Sequence, residues 1–209
     1  MKFLATLFYV LILASCHNNS ANGAAETSAG SIPVARDSTN HDSVAIVLSK
    51  QILSALRNND YETFSQFMHP LSGVRFSPYG YIDTISDIVL KKEELINHFR
   101  MEQQQTIKWG DYDGSGEPML LTIDDYFNKF VYNVDFLHAP QTSLNKMIGS
   151  GNSLNNLAAI YTGCDFTEHY FPGFDEKYGG MDWCTLRLVF KMYNSRTYLA
   201  GIVHDQWTI

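Results

Sequence analysis

The chain has 209 residues and a net charge of −7 with neutral histidines; its 15 basic side chains form no cluster among 22 acidic ones. That balance lacks the electrostatic footprint of nucleic-acid binding and argues against direct docking on anionic lipid head groups. With 13 Phe, 12 Tyr and 45% hydrophobic residues, the chain can bury a sizeable core rich in aromatic rings, as strands or a lined cavity need.

Taken in chain order, residues 3–13 form an uncharged apolar run behind Lys2. The run has the h-region length of a secretory signal and falls well short of the roughly 20 residues of a spanning helix. Leu13-Ala14-Ser15-Cys16 closes it and resembles the lipobox of a bacterial lipoprotein signal peptide. The resemblance implies removal of residues 1–15, lipidation of Cys16 and membrane attachment through that cysteine by two or three acyl chains. Loss of Lys2 takes the net charge to −8. His17 follows, with neither an aspartate nor an acidic cluster there, so the expected address is the cell envelope, at the outer membrane facing the periplasm. Residues 16–41 are Asn, Ser, Ala, Gly and Thr with few large apolar side chains, the composition of a flexible tether. Residues 42–209 then make one domain.

Ala45, Leu48, Ile52, Ala55 and Leu56 follow helical spacing behind an Asp42/Ser43 cap, which predicts a helix ending near Arg57. Asn58-Asn59-Asp60 breaks it and caps a short second helix over 61–68, stopped by Pro70. Residues 73–82 read as a strand pair interrupted at Pro78. Residues 91–101 form an amphipathic helix with Leu95, Ile96 and Phe99 inward. Thr122 and Asp125 are spaced as a capping box for a helix carrying Tyr126, Phe127, Phe130 and Val131. After a polar loop over 139–156 come three predicted strands, 157–171, 183–193 and 198–209, the last two joined by a tight turn at Asn194-Ser195-Arg196. Helices first and long antiparallel strands afterwards predict an α+β fold, with N-terminal helices packed on a curved antiparallel sheet.

This order, with the junction L-R-N-N-D-Y-x-x-F over 56–64, resembles the cone-shaped nuclear-transport-factor-2-like superfamily. The segments 73–83, 112–118, 181–190 and 201–209 are also similar to those of a group of exported bacterial proteins without an assigned activity. The resemblance implies a ligand or partner held in the mouth of the cone, with or without catalysis, since fold alone does not choose between them. It also implies a possible homodimer through the sheets.

Several side chains are candidates for a site. On the final strand, alternation puts Tyr198, Ala200, Ile202 and His204 on one face. Leu199, Gly201, Val203 and Asp205 fall on the other, more apolar face, which is expected to meet the helices. Asp205 is thereby either a desolvated general base or a core carboxylate bound to a backbone amide or Arg187. His204 and Glu168 are its candidate partners in an acid/base pair, the arrangement of a lyase, isomerase or hydrolase. Arg75, Tyr79, Trp109, Tyr126, Trp183 and Arg187 are candidate ligand-binding residues, with aromatic core as the alternative for the rings and an outward strand position for Arg187. Cys164 and Cys184 flank one predicted hairpin and are either a disulfide or two buried thiols; neither lies beside an evident base. Residues 111–117 begin like a calcium loop, but position 12 is Thr122 instead of Glu, so a hairpin without metal is expected. No nucleotide, zinc or serine-nucleophile motif occurs, and His69, His98 and His138 are scattered, so no cofactor or metal is expected. The expected function is a ligand-binding envelope lipoprotein, with acid/base catalysis and a protein-interaction module as the alternatives.

Overall fold

A computed structural model describes residues 38–149, 151 and 154–208, with side chains from residue 44 onward. The signal segment, Cys16 and residues 17–37 of the tether lie outside the described residues. Helix α1 (Ser38–Arg57) starts ahead of the Asp42/Ser43 cap. It is followed by α2 (Tyr61–Ser65), in which Asp60 Oδ1 accepts the Thr63 amide at 3.0 Å, the cap that the Asn-Asn-Asp break promised. Strands β1 (Val74–Ser77) and β2 (Ile88–Leu90), helix α3 (Lys92–Arg100), strands β3 (Ile107–Asp111) and β4 (Pro118–Leu121), and the short α4 (Ile123–Tyr126) come next. Thr122 Oγ1 accepts the Asp125 amide at 3.2 Å and donates to Asp125 Oδ2 at 2.7 Å, so Thr122 caps the helix as expected, with the Asp125 carboxylate on its hydroxyl and not on its backbone amide. A π-turn over Phe127–Val131 prolongs α4. Strand β5 (Gln141–Leu144), helix α5 (Leu157–Ile160) and strands β6 (Asp165–Phe171), β7 (Cys184–Tyr193) and β8 (Arg196–Gln206) complete the domain.

The chain is therefore α+β, but its main sheet is open and mixed where an antiparallel one was expected. Its order is β2-β1-β8-β7-β6-β5, and β1 runs parallel to β8 with Arg75 opposite Gly201 and Ser77 opposite Val203. Sequence reading paired residues 73–82 with themselves; instead β1 takes β2 as its antiparallel partner and β8 as its parallel one. Residues 157–160, expected as strand, form a helical turn. The β7–β8 turn is two residues, Asn194 (φ 47°) and Ser195 (φ 62°), and two positive φ values match the right-handed twist of the flanking strands.

A β-bulge sorts the residues of β8. Val189 pairs with Gly201 but Phe190 with Leu199, so Ala200 is an extra residue on one strand. Alternation resets there. Leu199 and Ile202 both join the large apolar cluster that holds Ile52, Leu53, Phe64, Leu95, Phe127, Phe76, Leu186 and Leu188. Val203 instead joins a small second cluster with Ile82, Leu157 and Val189. The expectation that Leu199, Val203 and Asp205 share one helix-facing side is corrected accordingly: strict period-two counting fails across a bulge.

Of the two alternatives for Cys164 and Cys184, a disulfide or two thiols, the structure has the thiols, both free, Cys184 buried and Cys164 half-buried. Cys184 pairs with Phe171 at one end of the β6–β7 ladder, whereas Cys164 precedes Asp165, which pairs with Phe190 at the other end. At about 3.3 Å per residue the two cysteines are separated by roughly 20 Å along the ladder, far beyond disulfide reach.

Beside the second cluster, Arg187 is fully buried between Glu168 and Asp205. Its Nε and Nη2 reach Glu168 Oε1 at 3.2 and 3.0 Å, its Nη1 reaches Asp205 Oδ2 at 3.0 Å, and its Nη2 donates to the Gly149 carbonyl at 2.8 Å. Glu168 also accepts the Ile148 and Gly149 amides (2.5 and 3.1 Å) and the Thr185 hydroxyl (3.0 Å). Removing one member of such a group strands buried charge. Arg187→Met is therefore expected to lower the unfolding free energy, measured in urea, by roughly 3–5 kcal/mol, or to prevent folding. A loss under about 1 kcal/mol would show that the carboxylates do not depend on the guanidinium.

Candidate functional site

One cleft combines aromatic walls with a buried ionisable group. It has a volume of about 580 Å³ and lies between the loop joining β1 to β2 and the end of β3 with the turn that follows it. The loop contributes Pro78, Tyr79, Tyr81, Asp83, Ser86 and Asp87; the turn contributes Gly110, Asp111, Tyr112 and Asp113. Leu154 and Thr208 complete the lining. Other depressions are simpler. One beside α1 and α2 has exposed Lys50 and Asp60 as its charges, and one over residues 140–148 is bordered by a single stretch of chain.

The loop wall is fastened at both ends. Asp83 Oδ1 accepts the Ile85 and Ser86 amides at 2.9 and 3.2 Å, a local turn that a Pro- and Ser-rich segment favours. Asp87 Oδ2 accepts the Ser77 hydroxyl and, at 3.1 Å, the Asp83 amide. Arg75 Nη1 donates to the Thr84 and Asp87 carbonyls at 3.3 and 3.1 Å. Asn156 clasps Ile82 from both sides, accepting its amide at 2.8 Å and donating to its carbonyl at 3.0 Å. The last residues of β8 hold the loop's start: the His204 ring contacts the Pro78 carbonyl through Nδ1 at 3.2 Å, and Asp205 packs against Gly80. A Cβ on Gly80 would lie 2.6 Å from Asp205 Oδ2, so only glycine lets the loop pass there.

Asp87 is the chemically distinctive group. It is 8% exposed, and burial pushes its carboxyl up to about 6, against the lowering effect of the Ser77 hydroxyl and Arg75. No cation forms an ion pair with it among the described residues. Asp111 is different, since Lys108 pairs with it at 2.9 Å. Lys129 Nζ lies over the Tyr112 ring at 4.6 Å, a cation–π contact.

Of the residues the sequence singled out, Tyr79 lines the cleft together with Asp111, Tyr112 and Asp113 from the 111–117 loop, and the others do different work. Arg75 holds the loop backbone. Trp109 and Tyr126 stack face to face in the large cluster, their ring centroids 3.8 Å apart, and Trp109 Nε1 donates to the Leu121 carbonyl at 3.1 Å. Trp183 lies over Gly149 and Gly151, so close that a Cβ on Gly151 would meet its ring at 2.7 Å. Arg187, Glu168 and Asp205 form the buried ion cluster, and His204 is sealed against Phe130. Burial raises the Asp205 carboxyl despite Arg187, and its Oδ1 has no hydrogen-bond partner among the described residues. Glu168, His204 and Asp205 do not line the cleft. Residues 111–117 form the β3–β4 connection, with the Tyr112 amide donating to the Glu117 carbonyl at 2.8 Å. No group of three His, Cys, Asp or Glu side chains among the described residues is placed to hold a metal ion. Likewise, no helix among them is long and apolar enough to cross a membrane.

Sequence reasoning missed Asp87, the buried carboxylate of the cleft. The D-T-I-S-D stretch reads as an exposed loop, and nothing local marks its second aspartate as the buried one. Comparison of the chain with protein-family models, curated proteins and solved structures finds no match to any of them.

Burial of histidine gives the fold a pH signature. His169 and His204 are both pushed down to about 4 by desolvation, against weaker opposing contacts with the Phe136 and Pro78 backbone respectively. Such a group binds its proton more readily in the unfolded chain, near pH 6.5. Its contribution to stability is therefore complete above about pH 6.5 and is lost as pH falls towards 4. His169→Phe removes one such site. Its unfolding free energy relative to wild type is expected to rise by roughly 3 kcal/mol between pH 7 and pH 4. A pH-independent difference, read from urea melts, would place a protonated or hydrogen-bonded imidazole at this position.

Proposed function

We propose that this chain is a lipid-anchored bacterial envelope protein whose domain binds a small molecule or short peptide without transforming it. The reading rests on the cleft: about 580 Å³ is within the range of small-ligand sites, and tyrosine walls with a few fixed polar groups suit recognition. The Leu13-Ala14-Ser15-Cys16 segment supports anchoring by acylated Cys16 at the periplasmic side of the outer membrane. The order of helices and strands supports a cone of the nuclear-transport-factor-2-like kind, with the cleft at its mouth. Asp205, His204 and Glu168 reach no part of that cleft, so they offer a substrate there no acid/base pair.

Native mass spectrometry of the whole chain, extracted from bacterial membranes in mild detergent, tests both halves of this proposal. The expected spectrum shows a chain beginning at acylated Cys16 and an additional organic mass that dissociates on denaturation and is absent from Tyr79→Ala. A chain retaining residues 1–15 would remove the anchor. A bare mass for wild type under the gentlest conditions would count against the ligand.

A further inference from the structure

We infer that the cleft recognises an organic cation, an ammonium group carried on an apolar body, with Asp87 as its counter-ion. The inference rests on the ligand-binding reading and specifies its chemistry. Four carboxylates, Asp83, Asp87, Asp111 and Asp113, line the cleft, and among the described residues no Lys, Arg or His does. Three of them have local partners. Asp111 is neutralised by Lys108, Asp83 is held by the Ile85 and Ser86 amides, and Asp113 Oδ1 accepts the Gly114 amide at 3.0 Å.

Among the described residues Asp87 is left without an ion-pair partner, although it is the most buried of the four. Its Oδ2 is occupied by Ser77 and the Asp83 amide, and among the described residues no hydrogen bond reaches its Oδ1. A carboxylate that is desolvated, oriented through one oxygen and open at the other favours a positively charged partner, because an ion pair inside a cleft offsets the cost of burial. The walls agree with that charge. Tyr79, Tyr81 and Tyr112 line the cleft with electron-rich rings, and the Tyr112 ring already has the Lys129 ammonium over it. An anion would meet four carboxylates. A neutral polyol would leave Asp87 uncompensated.

Arg75 and Asp83 are the charged groups that act on Asp87, whose own charge in turn helps to raise the Tyr126 and Tyr161 phenols. Only Arg75 among them is cationic, and its guanidinium is turned to the backbone carbonyls of the loop. Protons therefore compete with the ligand for Asp87 at mildly acid pH.

The test uses the whole chain in detergent and isothermal titration with tryptamine, set against tryptophol, which carries a hydroxyl where tryptamine carries its ammonium. Tryptamine is expected to bind at pH 7.5 about tenfold more tightly than tryptophol. It is also expected to lose about tenfold of its affinity between pH 7.5 and pH 5, as Asp87 takes up its proton. Asp87→Asn should abolish both the preference and the pH dependence. Asp113→Asn, at an exposed position that leaves the fold undisturbed, should weaken tryptamine about threefold without touching tryptophol. If tryptophol binds as tightly as tryptamine and Tyr79→Ala removes both, the cation inference is overturned while the cleft remains a binding site. If neither probe binds and wild type also carries no dissociable mass, the inference and the ligand-binding reading fall together.

Discussion

A single guanidinium, that of Arg187, organises the part of this domain that bears the cleft. It bridges Glu168 on β6 and Asp205 on β8, strands lying on either side of its own, and it reaches out of the sheet to the Gly149 carbonyl. The fork geometry of arginine suits this, since one planar group supplies directed donors to three acceptors at once. One cation faces two carboxylates, and the imbalance is resolved unequally. Glu168 is saturated with donors from Ile148, Gly149 and Thr185, whereas Asp205 keeps an oxygen without a partner and its carboxyl is raised by burial. Buried ion groups contribute more to specifying one arrangement than to net stability. Here the arrangement specified is the position of two loops relative to the sheet.

The first of these loops carries Gly149, which is hydrogen-bonded to Glu168 and Arg187 and packed against Tyr170 and Trp183. The second is the wall of the cleft. Asp205 is pulled toward Arg187 and in that position touches Gly80, while its neighbour His204, pointing to the opposite face of the strand, contacts the Pro78 carbonyl. Farther along, Asn156 and Asp87 fix Ile82 and Asp83. The carboxylate proposed to meet a ligand is thus positioned through a chain of contacts that begins in the sheet, which is how a loop site acquires the rigidity that recognition requires.

Much of this was legible in the sequence where the signal is local. The helix breaks at Asn58-Asn59-Asp60, the Thr122/Asp125 cap and the strand pair around Asn194-Ser195 all follow from short-range chemistry. What was not legible depends on partners far along the chain. The parallel pairing of β1 with β8 joins segments well over a hundred residues apart, and no period in either one announces it. The bulge at Ala200 adds a residue without a sequence mark and inverts every facing assignment beyond it, so period-two counting puts Asp205 on the opposite side from the one it occupies. Of the residues expected to line a pocket, Trp109, Tyr126 and Trp183 were core aromatics, and composition does not separate a ring that packs from a ring that receives a ligand.

Amide hydrogen exchange on the whole chain, comparing wild type with Arg187→Lys, tests the organising role of the guanidinium most directly. Lysine keeps the charge but offers a point donor that does not span both carboxylates and the Gly149 carbonyl. Exchange is expected to accelerate at Ile148 and Gly149 and, across the sheet, at Ile82 and Asp83 in the cleft wall, while the amides of β6 and β7 stay protected. Unchanged exchange at both loops would contradict the account, because their positions would then be set without Arg187.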